Sequence, residues 1–235
     1  MKRHILAFIF VLLMAGNARG EEVSVACAAN FTAAMKEIAA EYKASTGITV
    51  LLTFGSTGML FGQIQNGAPY DIFFAADEKR PDLLHEQGKA EKPEPYATGR
   101  VVLWTSRESS ADNWFTALES FEYIGAANPR TAPYGAAALD ALKAKGALDA
   151  TRSRLVFGKS VGQAFHFAHT GAAQAAFCAR SQAISAGNGI WLAGARSPCR
   201  QAGGLRADWQ CPRARFLPLC ARFPGGRGNQ ETLWV

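Results

Sequence analysis

The chain has 235 residues, 49% of them hydrophobic and 19% charged, with 25 Lys plus Arg against 19 Asp plus Glu for a formal charge of +6. This is the composition of a folded protein with enough chain for one or two domains, and it excludes disordered and collagen-like classes. A nucleic acid or an anionic membrane would suit the net charge, but its distribution argues against both: +3 falls in residues 1–20, −2 in residues 21–189 and +5 in residues 190–235.

Residues 1–20 begin with Lys2 and Arg3, continue through an apolar run from Ile5 to Ala15 and end on the small residues Ala18 and Gly20. That layout is a secretory signal peptide, with an apolar run too short for a membrane span of about 20 residues. The expected mature protein is exported, periplasmic and soluble.

Beyond the signal, Val23–Ala26 reads as a strand, followed by the loop Cys27–Asn30 and a helix from Phe31 to Lys43. In that helix Met35, Ile38, Ala39 and Tyr42 recur at helical spacing. Ile48–Phe54 is the next strand, leading through Gly55-Ser56-Thr57-Gly58 into a helix that stops at Asn66-Gly67. Asp71–Ala76 is a buried strand, with Asp77 placed to cap the helix after it. Further strands are expected at Arg100–Trp104, Tyr123–Ala126, Leu155–Phe157 and Ala175–Ala179, and further helices from Pro133 to Lys145 and from Gln163 to about His169. Alternating strands and helices predict an α/β fold with mostly parallel sheets covered on both faces.

Four strand-to-helix turns share a pattern: Ala29-Asn30, Gly55-Ser56-Thr57-Gly58, Pro133-Tyr134-Gly135 and Ser160-Val161-Gly162. Each presents backbone N–H groups at a helix start, where the dipole also favours an anion. Together they would make a cage of neutral donors for a small anion, because no Lys or Arg lies inside the first three and only Lys159 borders the fourth. Ordinary helix capping by Asn30, Ser56 and Thr57 is the competing reading of any one turn.

Other chemistry is poorly supported. His166 and His169 lie three apart on one helix but lack a partner ligand at useful spacing, so a solvated helical face is expected. Cys27 and Cys178 read as small buried apolar residues, and Asp77 with Glu78 as helix-start carboxylates. No catalytic residue, metal site or cofactor is expected. An exported hydrolase with Thr57 or Ser56 as nucleophile and His166 as base is the reading from another class, and it lacks an orienting partner.

The segments VACAANFTAAM (25–35), TFGSTGMLFGQIQNGAPYDIFFAADEK (53–79), ANPRTAPYG (127–135), KSVGQAF (159–165) and SQA with GNGIWL (181–192) resemble the periplasmic molybdate-binding proteins of ABC importers. The resemblance runs in order through nearly all of residues 21–192. It implies a two-lobed, type II periplasmic-binding-protein-like fold, each lobe a mostly parallel sheet flanked by helices, with lobe I at 21–97 and lobe II at 98–189. Molybdate or tungstate would bind between the lobes and pass to a cognate permease, and the subunit would be monomeric, with no nucleic acid as partner and no chemistry on the ligand. Another tetrahedral oxyanion is the nearest alternative. The family's ligand positions fall on Asn30 with Ala29, Thr57 with Ser56, Tyr134 and Val161. Where some members add a tyrosine hydroxyl, this chain has Ala179.

Residues 190–235 differ in chemistry from the rest. They hold seven Arg, three of the five Cys and three of the five Trp, with no sustained hydrophobic period. A disulfide framework or zinc site at Cys199, Cys211 and Cys220 lacks a paired C-x₂-C or a partner His. A coding frame shifted near Leu192 accounts for them better: moving residues 215–235 forward one nucleotide permits AFFRFVRGFQGAAEIRRRYGY, with a helix-like period and an ending like the family's. The expectation is that this tail stands in place of the segment returning to lobe I, leaving that part of lobe I missing or scrambled and the chain poorly folded, weakly binding or a nonfunctional copy.

Overall fold

The computed structural model describes residues 22–107, 113–192 and 198–205. Its strands are β1 (Glu22–Ala28), β2 (Thr49–Gly55), β3 (Ile72–Phe74), β4 (Glu94–Thr105), β5 (Ile124–Ala127), β6 (Leu155–Gly158), β7 (Ala175–Ala179), β8 (Ile190–Leu192) and β9 (Pro198–Leu205). The helices are α1 (Thr32–Thr46), α2 (Thr57–Gln65), α3 (Lys79–Glu86), α4 (Trp114–Ala117), α5 (Pro133–Ala144), α6 (Leu148–Arg152), α7 (Val161–His169) and α8 (Arg180–Ser185). Short 3₁₀ turns at Ala29–Phe31 and Leu118–Ser120 complete the set.

The strands run in the order β2-β1-β3-β9-β4-β7-β5-β6, with β8 added to β4. β1 is parallel to β2 and β3, and β9 lies antiparallel between β3 and the Glu94–Arg100 half of β4. The Val101–Trp104 half of β4 is antiparallel to β7, which is parallel to β5, and β5 is parallel to β6. One 12-residue strand therefore serves two sheets, and these define lobe I and lobe II.

Period-two alternation along β1 decides which helix covers which face of lobe I. Val23, Val25 and Cys27 pack with Phe31, Met35, Ile38 and Tyr42 of the α1 side. Ala26, on the opposite face, packs with Leu60, Phe73, Ala75 and Leu84 under α2 and α3. The helical spacing read along α1 is what buries Met35, Ile38, Ala39 and Tyr42. Gly47 ends that helix in the left-handed region at φ 78°, its N–H closing on the Lys43 carbonyl at 2.9 Å.

Lobe II is built around fully buried Trp104, with Phe177, Ile124, Leu103 and Leu142. Its sheet is dominated by alanine: all of Ala175, Ala176 and Ala179 are buried. Small residues let helices sit close, most tightly at Gly135 of α5, where a Cβ would lie 2.1 Å from the Ala127 carbonyl oxygen.

Residues 190–235 were expected to stand in place of the segment returning to lobe I, and their backbone is described at two places. Ile190–Leu192 pairs with Leu103–Thr105 in lobe II, and Pro198–Leu205 fills the slot between β3 and β4 in lobe I. A strand of this kind is held by main-chain hydrogen bonds, which need no hydrophobic period in the side chains. The signal segment 1–20, Cys211, Cys220 and the shifted-frame stretch 215–235 lie outside the described residues, and only the backbone of Cys199 is described.

Candidate functional site

Each of the four predicted turns leads into a helix start, and all six residues singled out are buried: Ala29, Asn30, Ser56, Thr57, Tyr134 and Val161. Hydrogen bonds and close approaches bring the starts together from the two lobes. The Gly58 N–H at the start of α2 donates to the Thr131 carbonyl just before α5 at 2.8 Å. A Cβ on Gly162, at the start of α7, would lie 3.3 Å from the Ala29 Cβ. On the other flank, the Ser181 hydroxyl of α8 donates to the Asn30 carbonyl at 2.9 Å.

Local bonding decides what each turn can offer. At α2, Ser56 is the N-cap, and its Oγ accepts from the Met59 N–H at 3.4 Å. Thr57 does something different from capping: its Oγ1 accepts from the buried Ala76 N–H at 2.9 Å. Accepting that bond uses one lone pair of the hydroxyl oxygen and does not use its proton. Since the Gly58 and Leu60 amides are also bound, to Thr131 and Ser56 carbonyls, Thr57 carries the donors of this turn.

Helix α5 has Pro133 at its first position, so its first amide belongs to Tyr134. The next two amides, Gly135 and Ala136, close on the Ala132 carbonyl at 3.0 and 3.1 Å. At α7 the cap is Ser160, whose Oγ accepts from the Gln163 N–H at 3.2 Å, and Val161 is the first helical residue. Of the residues read as possible caps, Ser56 is one; Ser160 caps α7 in the same way, and capping does not exclude hydroxyl donation to a ligand.

Two neighbours were not visible in the linear pattern. Gln182 of α8 accepts from the Ala179 N–H on Oε1 at 3.0 Å, and its Nε2 lies 3.9 Å from where a Gly162 Cβ would be. Its amide group therefore stands beside the start of α7, next to the alanine that replaces the tyrosine. Arg80 of α3 is ion-paired with Asp77 and donates through Nη2 to the Arg130 carbonyl at 3.4 Å. The cage of neutral donors accordingly has a guanidinium at its rim, already compensated by a carboxylate.

The remaining candidates separate from this site. Asp77 receives the Arg80 N–H at 3.0 Å, as a helix-start carboxylate should. The His169 ring packs against Trp104 and Phe165, with centroids 5.8 and 5.6 Å away. Among the described residues no three His, Cys, Asp or Glu gather as a metal group, and neither Ser56 nor Thr57 bonds a histidine. Cys27 and Cys178 are fully buried, and burial pushes the Cys178 thiol up, which keeps it protonated. A concavity of about 290 Å³ on lobe II is lined by Leu139, Leu148, Leu155 and Phe157 together with Asn128, Pro129, Arg130 and Arg152, and it includes none of the four turn residues Asn30, Thr57, Tyr134 and Val161.

The model of the bacterial extracellular solute-binding protein family matches residues 23–196. The chain belongs to this family. It is 44% identical over 179 residues to the molybdate-binding protein ModA of Azotobacter vinelandii, covering 74% of this chain and 71% of that one. It is 39% identical to the molybdate-binding protein ModA of Rhodobacter capsulatus, covering 79% and 75%. In structure it superposes on the Azotobacter vinelandii periplasmic molybdate-binding protein with a TM-score of 0.77 at 33% identity, over 85% of this chain and 91% of the other. The sulfate-binding protein SubI of Mycobacterium tuberculosis, 14% identical with a TM-score of 0.68 over 86% and 79% of the chains, shares the fold. This two-lobed α/β architecture is the type II arrangement expected from the sequence.

Proposed function

We propose that this protein captures molybdate or tungstate in the periplasm and delivers it to the permease of an ABC importer, as a monomer and without chemical change to the ligand. The observation that supports the reading is that turns of the two lobes touch in pairs, Gly58 with Thr131 and Gly162 with Ala29, with Thr57, Asn30, Tyr134 and Val161 buried beside these contacts. Relatives named for molybdate binding at 44% and 39% identity point the same way.

In this mechanism the anion first engages one lobe, and the other closes over it, exchanging hydration for fixed N–H and O–H donors. Asn30 and Thr57 donate from side chain and backbone; Tyr134 and Val161 donate through backbone N–H, with Ala29 and Ser56 shaping their turns. Donor-only walls favour a fully deprotonated tetrahedral dianion over one that retains a proton, because the retained proton would oppose a donor. Size then separates larger oxyanions from sulfate.

Titration calorimetry with molybdate, tungstate, sulfate and phosphate tests the assignment. Tighter binding of the first two than of the others is expected. Sulfate binding as tight as molybdate refutes the specificity.

A further inference from the structure

The two lobes approach closely at one rim of the cleft. There the Gly58 N–H of lobe I donates to the Thr131 carbonyl of lobe II at 2.8 Å. A Cβ on Gly58 would lie 2.7 Å from that oxygen, 2.9 Å from Thr131 Cα and 3.1 Å from Arg80 Nη2. Arg80 itself, its guanidinium held by Asp77, donates to the Arg130 carbonyl at 3.4 Å. Asn128 fixes the receiving turn: its Oδ1 accepts from the Arg130 N–H at 3.0 Å and its carbonyl from the Thr131 N–H at 3.2 Å. Two donors of one lobe thus meet two successive carbonyls of the other.

Nothing in the local backbone requires glycine at this position. Gly58 is not among the glycines with positive φ, and alanine is the better residue inside a helix. Four residues further along the same helix, a Cβ on Gly62 would meet nothing within 4 Å. The two nearest obstacles to a side chain at Gly58 are backbone atoms of the other lobe, and the third is the mobile end of Arg80 on its own lobe.

We propose that Gly58 and Arg80 form a clasp with the Arg130-Thr131 turn, and that the bare Cα of Gly58 sets how closely the lobes approach. The clasp rests on the oxyanion reading and deepens it. Gly58 follows Thr57 directly, and Thr131 precedes Tyr134 by three residues. A side chain wedged at Gly58 therefore separates donors that must reach the same anion, and hydrogen bonds weaken steeply outside about 2.7–3.2 Å.

The test uses Gly58→Ala, with Gly62→Ala as the control on the same helix and Arg80→Ala as a second probe of the clasp. Molybdate affinity is read by calorimetry, lobe closure by the scattering contraction on adding molybdate, and fold integrity by ligand-free Tm. Expected for Gly58→Ala is an unchanged or raised ligand-free Tm with affinity weaker by about tenfold or more and a reduced contraction. Arg80→Ala should weaken binding by roughly threefold, consistent with a long, partly exposed contact, and Gly62→Ala should bind as the parent does. A structural role alone would lower the Tm and leave the contraction intact. If Gly58→Ala and Arg80→Ala both bind within twofold of the parent and contract as it does, the clasp is wrong and the oxyanion reading stands. A parent protein that binds none of molybdate, tungstate, sulfate and phosphate overturns both.

Discussion

Replacing Thr57 by valine removes one hydroxyl with almost no change of shape, and the structure separates its two consequences. The side chain is 1% exposed and its oxygen is the acceptor for the Ala76 N–H at 2.9 Å. Valine leaves that amide buried without its partner, at a cost of about 1–3 kcal/mol, which lowers Tm by about 2–4 °C per kcal/mol in a protein of this size. Independently, the bound anion loses a charge-assisted donor worth about 1.5–3 kcal/mol, so Kd for molybdate should rise about 10- to 150-fold. Thr57→Ser restores both hydrogen bonds and should recover most of the affinity. Calorimetric titration of the three proteins, with ligand-free denaturation in parallel, reads both effects. Thr57→Val binding within twofold of the parent, while Ala76 loses its acceptor and Tm falls, would show that Thr57 is a structural hydroxyl and refute its place in the site.

Other outcomes follow from single contacts. Gly135→Ala places a Cβ 2.1 Å from the Ala127 carbonyl oxygen, and should destabilise the fold by at least about 1–3 kcal/mol in urea denaturation, whether or not ligand is present. Buried Cys178, its thiol pushed up, should resist thiol reagents in the native protein and react on unfolding. Because its native form keeps the proton that the unfolded chain releases near pH 8.5, this residue contributes a loss of stability as pH rises past that value, measurable as a falling urea midpoint in a pH series and absent from Cys178→Ala. Removing the α7 cap with Ser160→Ala should cost about 1 kcal/mol of stability.

The parts of this molecule legible in the sequence are those fixed over a few residues. The apolar spacing of α1, the end of that helix at Gly47, the β1 strand and the four turn motifs all depend on neighbours in the chain, and the structure places them where the pattern does. What escaped were contacts made across long separations. The Arg80 guanidinium reaches the turn at Arg130 only when two lobes meet, and Gln182 stands beside Gly162, 20 positions away in the chain, within lobe II. Gly58 was read as part of a helix-start turn offering donors to an anion, whereas its small size answers to Thr131, 73 positions away. The short strands Ile190–Leu192 and Pro198–Leu205 escaped for a different reason, since pairing by the main chain leaves little trace in side-chain composition.

The strand Glu94–Thr105 carries a consequence for how the halves of the protein can be separated. Along this strand the hydrogen-bonded ladder passes from Arg100 paired with β9 to Val101 paired with β7 without a break. A protease that needs several extended, unpaired residues has no foothold there, and limited digestion should nick exposed turns such as Gly67 or Gly146 before it parts the lobes. For the same reason an excised second lobe would begin in the middle of a strand and expose a raw sheet edge. In the proposed closure the two lobes move as separate bodies, yet in this strand they are one folded unit.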